Sequence, residues 1–199
     1  MNFLAHIYLS GESSGVKIGN FLGDFVKGRD SEKFPLEIET GILLHREIDE
    51  FTDHHEIVLE SKKRLRPVFG HYAPVIVDVF YDHFLASLWP RYATSGLMDF
   101  TLDFYHMARE NRLLMPEKAR FVLGYMARDN WLYNYQFLTG IDKALSGMAR
   151  RTKFESGMEN AAASLARDYE PYKEEFISFF PELMAFATDF LSSHPRKVL

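Results

Sequence analysis

The amino-acid sequence predicts an all-α protein, an irregular multi-helix bundle, on three observations. Apolar residues recur at three- and four-residue steps, as at Val16, Ile18, Phe21, Leu22, Phe25 and Val26. Prolines and glycines stand at the ends of such periodic stretches, where helices start and stop. Alternation with a two-residue period is missing apart from a weak trace over Phe3–Leu9. No repeat of roughly 20–50 residues marks a solenoid. At 199 residues the chain can bury a sizeable core, and a single helical domain over 1–199 is expected.

In chain order, the first expected helix covers 15–27, with Gly28 as its C-cap. A loop from Asp30 to Pro35 leads into a helix from Glu37 to Phe51, which leaves Asp53 on the last turn or just beyond. Residues 55–69 form the next, with Lys and Arg along one side. Pro74 suits the first turn of a helix that runs to Leu88, before Trp89-Pro90. Further helices are expected over 97–111, over 117–134 after Pro116, and over 139–149 and 155–167. The last runs from Pro171 to Ser193, bent at Pro181. The 18 Phe and 10 Tyr are large side chains suited to filling gaps between helices.

Composition narrows the chemistry. The chain has no cysteine, so disulfides and thiolate zinc sites are excluded, and a metal would have to sit on His, carboxylate and water. The same absence fits a reducing cytoplasm, the expected location. Met1-Asn-Phe-Leu-Ala-His6 lacks the basic start and long apolar core of a signal peptide. No run approaches the roughly 18 apolar residues of a membrane span. A net charge of −5 opposes nucleic-acid binding, although two basic clusters stand out: Lys62-Lys63-Arg64-Leu65-Arg66 and Arg150-Arg151-Thr152-Lys153.

The stretch Gly41 to His55 sets His45, Asp49 and Asp53 at four-residue steps, one stripe on a helix. Asp78, Asp82 and His83 repeat the device inside a segment that is apolar nearly all round and therefore buried. Buried carboxylates must be paired or coordinated. A divalent ion offsets their repulsion and desolvation, and oxygen donors with some imidazole suit Mg²⁺ or Mn²⁺. Taken singly, His45 reads equally well as a satisfied histidine beside Arg46, and Asp49 and Asp53 as solvated helix residues.

A third segment carries Gly15, Gly19 and Gly23 at four-residue steps, a smooth strip for close approach of a helix or a substrate, with Asp24 one residue off it. Asp24 reads as a ligand or a base. His6, at the end of an apolar anchor, reads as a core residue. His54 and His55, adjacent at a helix end, read as groups facing solvent or the C-terminal dipole, and His71, His106 and His194, without a persuasive carboxylate partner at helical spacing, read as structural or surface groups.

Met1-Asn-Phe-Leu-Ala-His6, Gly19-Asn20, Asp24 to Gly28, Gly41-Ile42, His45-Arg46, Ile48-Asp49, Thr52-Asp53 and Asp82-His83-Phe-Leu85 together resemble the bacterial acyl carrier protein phosphodiesterases. The likeness continues in Leu114-Met-Pro116, Trp131-Leu132 and Gly140-Ile141, and is most specific in the first 90 residues. That family is regarded as distantly related to the HD phosphohydrolases, so the resemblance implies an HD-domain-like bundle. It implies hydrolysis of the phosphodiester joining 4′-phosphopantetheine to a serine of holo acyl carrier protein, with Mn²⁺ or a similar divalent ion as cofactor. Matched motif positions are Asp24, His45, Asp49, Asp53, Asp82 and His83. With Asp78 added from the buried segment, the expected ligand pool is Asp24, His45, Asp49, Asp53, Asp78, Asp82 and His83. Asp24, His45 and His83 are candidates for proton transfer, and Arg46 or Lys27 for clamping a phosphate oxygen. Two rival readings stand beside it: a phosphohydrolase of a small phosphodiester or nucleotide, and a non-catalytic helical module that binds a protein. The carrier protein is strongly acidic, so docking is expected on a basic cluster, Lys62–Arg66 before Arg150–Lys153.

Overall fold

The structure, a computed structural model, describes residues 1–194. Eleven α-helices and five short 3₁₀ turns make up most of the described residues, and no strand occurs among them. The all-α expectation holds. None of the described helices is long and apolar enough to cross a membrane.

The helix α5 (Ala73–Ser87) lies at the centre. Ile76, Val77 and every residue from Val79 to Ala86 are buried, as its all-round apolar sequence requires. The helices α1 (Phe3–Tyr8), α4 (Glu56–Phe69), α9 (Leu138–Ala149) and α11 (Tyr169–Ser193) pack around it. Phe176, Phe179, Phe180 and Leu183 of α11 are fully buried, and Phe176 stacks between Phe84 and Phe180. The long helix runs on through Pro181.

The tightest pair is α2 (Ser14–Leu22) against α3 (Leu36–His54). A Cβ at Gly19 would fall 2.0 Å from the Ile38 carbonyl oxygen, and one at Gly41 would fall 2.2 Å from that of Val16. The two backbones touch where both lack side chains. This is the reason for the glycine strip, and the neighbour it admits is a helix, not a substrate. At Gly23 the space belongs to His45, whose ring lies 2.1 Å from where a Cβ would stand.

Several boundaries differ from the sequence expectation. Phe3–Tyr8 is helical because a carboxylate of α5, Asp82, accepts from the backbone N–H groups of Leu4 and Ala5 at 2.8 and 3.1 Å. The helix expected over 15–27 stops at Leu22, and Gly28, at φ 54°, opens a 3₁₀ turn instead of capping it. The helix expected to end at Phe51 continues to His54, so Asp53 is helical. The single helix expected over 117–134 breaks into α7 (Glu117–Arg128) and α8 (Trp131–Asn134). The break is Asn130, held at φ 40°, whose side chain caps α8 through the Tyr133 N–H. Of the 155–167 stretch, only Ala161–Arg167 is α-helix (α10). The remaining helix, α6 (Leu97–Glu110), lies where expected.

Candidate metal centre

Four elements converge beside the α2–α3 contact: α1 brings His6, α2 brings Asn20, the turn after α2 brings Asp24, and α3 brings His45 and Asp49. The two imidazoles stack, with centroids 4.0 Å apart and planes at 18°. Both are buried.

Asn20, fully buried, sets the tautomer of each ring. Its amide nitrogen donates to the His6 carbonyl at 2.8 Å and to Ser10 Oγ at 3.0 Å. That leaves Asn20 Oδ1 facing His6 Nδ1 at 2.8 Å, so Nδ1 carries the hydrogen and donates. His45 Nδ1 lies 2.9 Å from the Asn20 carbonyl oxygen and donates likewise. The neutral rings therefore turn their Nε2 atoms the other way, where both meet Asp49 and that of His6 also lies 3.2 Å from the Met1 carbonyl oxygen. His6 Nε2 stands 3.2 Å from Asp49 Oδ1, and His45 Nε2 stands 3.2 Å from Asp49 Oδ2. Asp24 Oδ1 is 3.7 Å from His45 Nε2.

Lone pairs pointed at a carboxylate repel unless a proton or a cation lies between them. In the protein alone the proton goes to His45. Burial by itself would depress this ring, but hydrogen bonds to Asp24 and Asp49 outweigh it and raise its pKa to about 9. His6 goes the other way, lowered by burial and by the neighbouring His45 to about 4. Burial would raise Asp49, yet the two imidazoles and the α-amino group hold it well below the usual carboxylate range. Asp24 is lowered by His45 against the same opposition.

The donor set fits a divalent ion. One ligand atom each from His6, His45 and Asp49 lie within 4.8 Å of one another, and Asp24 adds a half-exposed oxygen at the edge. Nδ1–H groups tied to carbonyl and amide oxygens, with Nε2 turned inward, are the outer-shell arrangement that orients metal-ligating histidines.

The Met1 α-ammonium group lies on the far side of Asp49, 3.4 Å from its Oδ1 and 3.2 Å from Asp78 Oδ1. Burial would lower this amine; Asp78 and Asp49 outweigh it and raise it to about 10. Asp78 itself is raised, chiefly by burial.

Of the residues proposed from sequence, Asp24, His45 and Asp49 meet, and Asp78 adjoins them through the amine. The others are not brought together with them. Asp82 caps α1 with both oxygens, and burial pushes it up to about 7 against those two N–H donors. His83 Nδ1 donates to the Tyr135 carbonyl at 2.8 Å and its Nε2 lies 3.0 Å from the Tyr169 hydroxyl. Asp53 pairs with Lys62 at 2.7 Å. Arg46 spans the turn after α2, donating to the carbonyls of Val26 and Gly28 at 3.3 and 2.9 Å. Lys27 is exposed. Burial of the α5 segment on every side gives Asp82 and His83 backbone and tyrosine partners of their own, apart from the His45 cluster.

His6 and Asn20 are what a reading of helical spacing misses, because residues 6, 20 and 45 share no periodicity. Both stand in the segments that carry the family likeness, Met1–His6 and Gly19-Asn20. A sequence model described as acyl carrier protein phosphodiesterase matches residues 1–183. The chain belongs to this family. Among its relatives, an Escherichia coli protein named acyl carrier protein phosphodiesterase is 34% identical over 193 residues, covering 94% of this chain and 98% of its own. Relatives of the same name from Yersinia pestis and Photorhabdus laumondii are 32% and 30% identical over 188 residues. Each covers 92% of this chain, and 96% and 93% of its own length respectively. No solved structure matches the chain.

Proposed function

We propose that this family member hydrolyses the phosphodiester between 4′-phosphopantetheine and a serine of holo acyl carrier protein, and that it does so with a divalent ion held by His6, His45 and Asp49. The family and the relatives' shared name support a carrier-protein phosphodiesterase. The metal is supported by one observation: two stacked imidazoles whose Nδ1 atoms are tied back to Asn20 while both Nε2 atoms face one carboxylate. Manganese suits this nitrogen and oxygen set, and magnesium is the alternative.

A bound ion supplies Lewis acidity toward the phosphoryl oxygens and favours ionisation of water at neutral pH. The chain's own residues do the rest. Asp24, more than half exposed beside His45, is positioned to take a proton from the attacking water at its Oδ1. Asn20 keeps both rings from rotating. Arg46 holds the Val26–Gly28 turn, and Lys27, exposed in that turn, is the cation proposed to meet a phosphate oxygen. Water adds to phosphorus, the P–O(serine) bond breaks, and the serine oxygen leaves with a proton. The products are apo carrier protein and 4′-phosphopantetheine. Cytoplasmic residence is part of the same reading, since it places the enzyme with a thiol-bearing substrate in a reducing compartment.

The test is mass spectrometry of holo carrier protein incubated with enzyme and Mn²⁺, with a chelator control. Loss of the phosphopantetheine mass that chelator abolishes is expected. Loss unaffected by chelator would overturn the metal, and an unchanged carrier protein the substrate.

A further inference from the structure

We propose that the cleft walled by α7, α8 and α9 is the docking surface for the acidic carrier-protein substrate, an inference that rests on the function proposed above. The cleft measures about 860 Å³. Its apolar lining includes Phe121, Tyr125 and Trp131; the Phe121 ring is 65% exposed and meets Tyr125 edge-on at 4.9 Å between centroids. Lys143, Arg150 and Arg151 line it as well, and Lys153 follows in the chain. All four cations are exposed, and none joins an ion pair among the described residues. The one acid in the lining, Asp129, is bound by Arg128 at 2.7 Å.

Two cations of the rival basic cluster are held by partners within the fold, while Lys63 and Arg66 remain exposed. Lys62 is buried against Asp53, Lys63 reaches Glu60, and Arg64 grips Glu175 at 2.6 and 2.9 Å. In a chain of net charge −5, Lys143, Arg150, Arg151 and Lys153 thus form an exposed positive patch without ion pairs among the described residues. An acidic partner needs such a patch, and exposed aromatic rings flanked by arginine are the usual make-up of a protein interface.

Position supports the same assignment. The cleft's inner wall is Tyr135, whose hydroxyl accepts from Asn2 Nδ2 at 3.3 Å. Asn2 adjoins Met1, whose amine touches Asp49. Tyr135, Asn2 and Met1 thus link the cleft wall to Asp49 of the candidate metal centre through three successive residues.

The charge reversal Arg150→Glu with Arg151→Glu tests this, assayed on holo carrier protein and on 4′-phosphopantetheinyl serine, the same diester without the protein. Expected for the double variant is a KM for carrier protein raised about tenfold or more, with its salt dependence flattened. The kcat and the turnover of the small diester should stay within about twofold of wild type. Unchanged KM would overturn the docking surface while leaving the hydrolysis standing; equal loss on both substrates would overturn it too, since docking would not be the step affected. Wild-type enzyme that cleaves the small diester and ignores carrier protein would instead overturn the substrate reading. Lys143→Glu, two turns earlier on α9, should add to the effect.

Discussion

At the scale of single residues, Asn20 decides whether two histidines can act together. It contributes an amide oxygen to one ring and a carbonyl oxygen to the other. Asn20→Ala keeps only the second, and Mn²⁺ affinity, measured by calorimetry on chelator-stripped protein, should fall about 10–100-fold. His6→Ala removes a ligand atom and should cost at least as much; wild-type affinity in that variant would remove His6 from the centre. The metal-free protein should also show a pH signature. His45 is raised to about 9, so the folded state holds a proton the unfolded state has lost. Its contribution is complete below about pH 6.5 and disappears as pH rises through 9. His6 is lowered to about 4, so the unfolded state takes up a proton that the folded state refuses, and stability falls as pH drops from 6.5 toward 4. Melting temperatures in chelator should therefore peak near pH 6.5 from these two groups, and His45→Gln should flatten the alkaline limb. An alkaline limb equally steep in that variant would rule out His45 as its source.

At the scale of elements, the α2–α3 contact positions Asn20 and Asp24 against His45, and glycine makes it possible. Gly41→Ala drives a Cβ into the Val16 carbonyl and should destabilise by at least about 1–3 kcal/mol in denaturant titration. Gly124, in α7, is a useful contrast. A Cβ there meets nothing within 4 Å, so Gly124→Ala should stabilise by about 0.5–1 kcal/mol. Similar behaviour of the two variants would show that backbone contact is not what Gly41 provides. Asp82 belongs to this scale as well: it is the carboxylate that makes a helix of the first residues and so delivers His6.

Across the whole molecule, the aromatic face of α11 closes the bundle over α5 without touching the site. Phe180→Ala removes a fully buried ring that packs on Tyr8, Tyr92 and Phe176. A loss of about 3–5 kcal/mol is expected, with metal affinity of the folded fraction retained. Weakened metal binding at temperatures where the variant is folded would mean that this face also shapes the centre. The same view explains why Arg64 is a poor docking residue. Its bidentate pairing with Glu175 ties α4 to α11, so Arg64→Glu is expected to lower melting temperature more than it raises KM.

Much of this protein follows from short-range pattern alone. Helical periodicity sets the class and most of the eleven helices, because which face is apolar is a local property of spacing. The pairing of His45 with Asp49 follows for the same reason, since four residues on one helix are neighbours wherever that helix packs. The four-step glycines of α2 announce a close approach, though not its partner. What spacing cannot reach is which atoms meet across elements. Asp78, Asp82 and His83 have the same local pattern as His45 and Asp49, yet Asp82 finds the open end of α1 and His83 finds Tyr135 and Tyr169. His6, unremarkable in sequence, is carried onto His45 by a helix that exists only because Asp82 caps it. Ligation and electrostatic pairing depend on a few ångströms between residues far apart in the chain, and only the packing of α1, α2, α3 and α5 sets those distances.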